Sequence, residues 1–90
     1  MKQIIKRKGQ KQEFNPKKLR LSLFAACLNA HLSDEMGEIM ADKVVIKVYD
    51  WLEKKEEDIT TDELFKKASD ELCKLNEAAA FMYFTHRDVS

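Results

Sequence analysis

Lys6, Arg7 and Lys8 stand side by side immediately before Gly9, and Lys11, Lys17 and Lys18 follow soon after. Clustered cations repel one another and are relieved when an anion binds among them. Arginine can grip a phosphate through two parallel N–H groups, and lysine adds a point charge. Asn15-Pro16 lies inside the same cluster and has the chemistry of a helix start. Asparagine caps the first turn, and proline at the next position lacks an N–H that would have had no partner. The backbone N–H groups of such a turn carry partial positive charge and favour phosphate. Cations brought against that turn would make a triphosphate site without a P-loop. Neither GxxxxGK[ST] nor GxGxxG occurs in the chain.

The other chemistry-bearing residues do not gather. His31 and His86 have no HExxH, CxxC or DxD partner, and Cys27 and Cys73 form no CxxC pair. A zinc site and a catalytic constellation therefore have little support, and the expectation is a binding domain, not an enzyme. The whole chain has 16 cations and 16 anions, but residues 1–20 hold eight of the cations and one of the anions. The N-terminal end is thus +7 and the remainder −7. That asymmetry points to an anionic partner at the basic end.

These residues need elements to hold them. With 90 residues, 44% of them apolar, the chain suffices for one core and is expected to be a single domain over 1–90. Ile4 and Ile5 open a β-favouring stretch, Gly9 supplies a turn, and Gln10–Phe14 return as a second strand. Alternation along such a strand puts Lys6 and Lys8 on one face and Arg7 on the other. The hairpin cap, about 3–14, is too small to stand alone and must lie on a helical bundle, about 16–88.

A first helix is expected from Pro16 to Ala30, with Leu19, Leu23, Ala26 and Cys27 at three- and four-residue spacing and Phe24 and Leu28 widening the stripe. Ser33 caps a second helix reaching Glu53, with Met36, Ile39, Met40, Val44, Val48, Trp51 and Leu52 on its apolar stripe. "VVIKVYDW" is rich in β-formers, but the helical period runs through it without a turn residue. Ile59 suggests a very short strand joining the hairpin. Thr60 with Glu63 is a capping box for a third helix carrying Leu64, Phe65, Ala68, Leu72 and Leu75. A fourth helix starts near Glu77; "AAAFMYF" is apolar almost all round, so it is expected to be central or to form a subunit interface. The fold class is α+β, mostly α: a small two- or three-stranded cap on a four-helix bundle. Cys27 and Cys73 read as buried free thiols, and no apolar run has signal-peptide or membrane length, so the cytoplasm and no membrane partner are expected.

Three stretches, "IIKRKGQKQEFNPKKL", "ITTDELFKKASDEL" and "AAAFMYFTHR", together resemble the ATP-cone domain. This is the nucleotide-binding regulatory module at the N-terminus of many ribonucleotide reductases, also found in their repressor and in stand-alone or fused proteins. The family pattern runs V-x-K-R-D/x-G-x-x-E-x-F-D/N-x-x-K-I, then I-T-S/T-x-D/E-I/L, then an apolar helix ending in aromatic and basic residues. The resemblance covers nearly the whole chain in matching order. It implies a β-capped four-helix bundle that binds ATP or dATP, with Mg²⁺ bridging phosphates, between cap and helices. Nucleotide occupancy would set oligomeric state and the activity of a ribonucleotide reductase.

Carried over by position, Lys6 and Arg7 would meet phosphates and Ile4 would sit against the nucleotide. Gln12, Glu13, Phe14, Asn15 and Lys18 would wrap base and phosphates. Thr61 matches the family threonine at the start of the third helix, and Phe65 would lie near the base. Gln12 stands where the family has an acid, with Glu13 one place later, and Lys8 stands where an aspartate is common. The basic residue that often ends the last helix falls near Asp88, leaving His86 and Arg87 as substitutes. The chain carries neither a reductase catalytic domain nor the repressor's zinc ribbon, so it is expected to be an excised cone or a stand-alone one. A homo-oligomer through the C-terminal helix is the expected assembly. Two alternatives use the same residues differently: a nucleic-acid-binding helical module using the basic hairpin, disfavoured by the acidic body, and a helix-mediated protein-interaction domain without ligand.

Overall fold

The computed structural model describes residues 3–6 and 8–85. Two short strands come first, β1 (Gln3–Ile5) and β2 (Lys11–Glu13). Four helices follow: α1 (Pro16–Asn29), α2 (Asp34–Glu53), α3 (Thr61–Leu75) and α4 (Glu77–Thr85), with β3 (Ile59–Thr60) just before α3. The architecture is α+β and mostly α, a three-stranded cap on four helices.

Each helix begins where a side chain can satisfy the free N–H groups of its first turn. The Asn15 side chain accepts from the Lys18 N–H at 3.2 Å, with Pro16 at the first helical position. Ser33 does the same for Met36 at 3.2 Å, and Asn76 for Ala79 at 2.8 Å. Thr60 and Glu63 form the reciprocal capping box, each side chain 3.1 Å from the other residue's N–H. "VVIKVYDW" is helical throughout.

The strands are shorter than the sequence suggests. β1 ends at Ile5 and β2 spans only Lys11–Glu13, because the turn begins at once. The Lys6 N–H donates to Gln10 at 2.7 Å and the Gly9 N–H to Lys6 at 2.8 Å. Gly9 has φ +85°, a conformation that costs little without a Cβ. Lys6 and Lys8 are therefore not alternating positions of one strand. β1 is the middle strand, antiparallel to β2 and parallel to β3, with Ile4 opposite both Gln12 and Ile59. Ile4, Phe14 and Ile59 are buried and seat the cap on the bundle.

Among the described residues α1 packs on α2 and α4, and α3 packs on the same two, so the helices form a ring. Leu23, Cys27, Val44, Val48, Leu52, Ala68, Leu72 and Ala79 fill it. Full burial of a leucine or valine side chain is worth about 1.5–3 kcal/mol, so this set supplies much of the stability.

Three burial expectations need correction. Met36 and Ile39 lie on the predicted apolar stripe of α2 but are exposed, as are Leu28 on α1 and Leu75 on α3. A helix at the edge of a single ring has neighbours on one side only, which narrows the buried stripe. Cys73 is exposed while Cys27 is buried, because Cys73 follows Leu72 round the α3 surface into solvent. α4 is not central: Ala79 and Ala80 face the core, but Phe81 and Phe84 are 63% and 64% exposed.

Candidate functional site

α1, α3, α4 and the cap enclose a cleft of about 350 Å³, within the roughly 300–1,000 Å³ range of small-molecule sites. Ile4, Lys6, Gln12, Glu13, Phe14, Asn15, Lys18, Thr61 and Phe65 all line it. Nine of the twelve residues singled out in the sequence thus meet in one place, from segments far apart in the chain. Arg7, His86 and Arg87 lie outside the described residues. Lys8 is exposed in the turn and does not line the cleft.

Each wall has a physical origin. The Asn15 cap fixes the start of α1 and holds Lys18 one turn inside it, at the edge of the cleft. The Thr61 hydroxyl donates to the Ile5 carbonyl at 3.2 Å. That bond ties the first turn of α3 to the middle strand and adds a second helix N-terminus to the same rim. Phe65, one turn on, stacks against Tyr83 of α4 with ring centroids 4.9 Å apart, and meets Phe84 at 5.7 Å. Aromatic pairs in this range contribute about 0.5–1.5 kcal/mol beyond their buried area, so the aromatic wall is held in place.

The cluster of cations divides in three dimensions. Lys11 pairs with Asp58 at 3.5 Å, and Arg20 pairs with Asp42 on α2. The Asp42 hydrogen bond holds the Arg20 guanidinium above its usual range. Lys6 and Lys18 are left facing the cleft and have no carboxylate partner among the described residues. Among the described residues Glu13 is the one acid on the lining. The cleft therefore offers two free cations and two helix N-termini near the cap, with aliphatic and aromatic side chains beyond. That combination suits an elongated ligand with an anionic end and a flat apolar end. A triphosphate fits the first and a purine the second. Among the described residues no group of three or more His, Cys, Asp or Glu could hold a metal ion. A hard cation here would have to take most of its ligands from phosphate and water.

The sequence did not single out Leu19, Ser22, Ala25, Ala26 and Asn29 on α1, nor Leu64, Met82 and Tyr83, which complete the lining. Part of the signal is there in retrospect. Lys18, Ser22, Ala25 and Asn29 recur at four-, three- and four-residue spacing, one line along a helix. Three of them, Ser22, Ala25 and Asn29, are short, which leaves room beside α1. Met82 and Tyr83 give no such signal, because α4 is apolar on nearly every side.

A β-cap over a helical ring, with a cation-lined cleft between them, defines a small-ligand-binding domain. The sequence model of the ATP cone domain matches residues 2–89, nearly the entire chain, and the chain belongs to that family. It is accordingly a regulatory nucleotide-binding domain of the kind that binds ATP or dATP. No curated protein and no solved structure matches it. Among the described residues no helix is long and apolar enough to cross a membrane.

Proposed function

We propose that this chain is an allosteric ATP/dATP sensor forming one domain over residues 1–90, whose nucleotide occupancy controls the oligomeric state of the protein that carries it. The observation that supports this best is the cleft, where Lys6, Gln12, Asn15 and Lys18 meet Thr61 and Phe65 from a distant part of the chain. Lys6 and Arg7 hold the phosphates together with Lys18 at the α1 N-terminus. Phe65, Ile4 and Phe14 pack against the nucleoside, and Gln12, Glu13 and Asn15 supply polar contacts around it. His86 and Arg87, which lie outside the described residues, stand in for the basic residue that often ends the family's last helix. Mg²⁺ bridges the phosphates, and the regulated partner is a ribonucleotide reductase in the cytoplasm. Occupancy shifts assembly only if the nucleotide binds the two assembly states with different affinity. The exposed Phe81 and Phe84 on α4 are the surface through which copies associate.

Calorimetry with ATP, dATP, GTP and a short DNA duplex tests this, repeated on Lys6→Ala/Arg7→Ala. The expected result is heat from ATP and dATP at sub-millimolar concentration and little from the double variant. Silence from both nucleotides sinks the proposal. Equal binding of any nucleotide and of DNA, falling steeply with salt, would favour the nucleic-acid reading. A sizing column run with each ligand tests the assembly claim.

A further inference from the structure

A second groove lies between α2 and α3, away from the nucleotide cleft. It has a volume of about 490 Å³ and is lined by Lys43, Val44, Ile46, Lys47, Glu71, Lys74 and Leu75. Val44 is its buried floor, while Ile46 and Leu75 stand 60% and 39% exposed on its walls. A contiguous exposed apolar patch rimmed by polar residues is the mark of an interaction site, and here Ile46 and Leu75 share one groove with a charged rim.

The charge is the more informative feature. Residues 21–90 have 8 cations against 15 anions, and the cations are Lys43, Lys47, Lys54, Lys55, Lys66, Lys67, Lys74 and Arg87. Three of the eight line this groove, and Lys67 reaches Glu71, the one acid among its described lining residues. That acid, Glu71, is buried and neutralised by Lys67 at 2.8 Å and Lys74 at 3.2 Å. Lys43 and Lys47 have no carboxylate partner among the described residues, although the body around them is acidic. The groove is a positive, apolar-walled slot on a negative body.

We infer that the α2–α3 groove docks an acidic amphipathic helix of a partner protein. Its aliphatic anchors would cover Ile46 and Leu75, and its carboxylates would meet Lys43 and Lys47. This is the helix-in-groove mode, with charge setting partner choice and apolar contact supplying affinity. A second copy of the chain is a poor occupant. A two-fold axis through the groove would bring Lys43, Lys47 and Lys74 against like charges. A polyanion without anchors is also poor, since it would leave Ile46 and Leu75 uncovered. α3 serves both sites, lining the cleft with Thr61 and Phe65 and the groove with Lys74 and Leu75.

The test uses fluorescence anisotropy with a labelled helical peptide that carries leucine at i, i+3, i+4 and i+7 and glutamate elsewhere. A matched peptide has lysine in place of glutamate. The acidic peptide is expected to bind and the lysine peptide is not. Lys43→Glu/Lys47→Glu should weaken binding by about tenfold, Ile46→Ser should weaken it too, and Lys17→Glu at the basic end should not. Both groove lysines are exposed, so the variants should fold, which circular dichroism checks. Absence of acidic-peptide binding overturns the inference, as do equal binding of the two peptides and an unchanged affinity in the double variant. So does loss of binding in Lys6→Ala/Lys18→Ala, which would put the peptide in the nucleotide cleft. Concentration-dependent dimers in sedimentation that Ile46→Ser abolishes would make the occupant a second copy and refute it as well.

Discussion

Replacing Thr61 by valine keeps the side-chain shape but exchanges the hydroxyl for a methyl group, which removes one hydrogen-bond donor. The hydroxyl donates to the Ile5 carbonyl at 3.2 Å in a half-buried setting. It is a side-chain link between the first turn of α3 and the middle strand of the cap. An uncharged hydrogen bond of this kind is worth about 0.5–1.5 kcal/mol net. The bond is longer than the usual O–H···O range of about 2.5–3.0 Å and the site is partly wet, so no more than the middle of that energy range, about 1 kcal/mol, is expected. In a domain of this size that lowers Tm by about 4–8 °C. Thermal unfolding followed by circular dichroism measures it, with urea unfolding giving the free energy independently. Thr60→Ala is the companion, because it removes the capping box from the same turn at a cost of about 1 kcal/mol without touching the cap contact. Only Thr61→Val should also weaken nucleotide binding, since Thr61 lines the cleft and holds its rim. A Thr61→Val protein whose Tm stays within a degree of the parent would refute the argument that this bond fastens cap to bundle.

Glu71 is held below the ordinary carboxylate range, first by its hydrogen bond from Lys67, against the opposing effect of burial, with Lys74 adding to the lowering. Its folded pKa is thus below its unfolded one, so its stabilising contribution is complete above the unfolded value and is lost as pH falls through the folded value. The stability difference between the parent and Glu71→Gln should therefore shrink on acidification and stay constant near neutrality, as urea titrations at a series of pH values would measure. Cys73 is exposed and should react quickly with a thiol reagent, whereas Cys27 is buried with its pKa pushed up by that burial and should react only on unfolding. Labelling at both sites in the native protein would contradict the packing of α1. Leu23 is fully buried in that same packing, and Leu23→Ala should cost about 2.7–5 kcal/mol, enough to leave a domain of this size close to unfolded in urea titration.

Helix ends and the order of elements are legible in the sequence because their causes are local. Asn15-Pro16 starts α1, and Thr60 with Glu63 starts α3, through contacts within a few residues of themselves. The brief strand at Ile59 is legible for the same reason, being a β-branched residue before a cap. The cationic end of the cleft is legible because Lys6, Asn15 and Lys18 are near neighbours in the chain. Tertiary packing decided the rest. Whether Met36 and Cys73 are buried depends on how many helices surround α2 and α3, which periodicity does not report. That Lys11 and Arg20 leave the cation cluster follows from Asp58 and Asp42, which lie far along the chain. Tyr83 and Met82 become cleft residues only because α4 packs between α1 and α3 and turns one side toward the cap. The sequence by itself determined which segments are helices and which end is basic, since capping and charge act over a few residues. Only the tertiary structure decided which cations stay free and which apolar face stays open, because both depend on long-range neighbours.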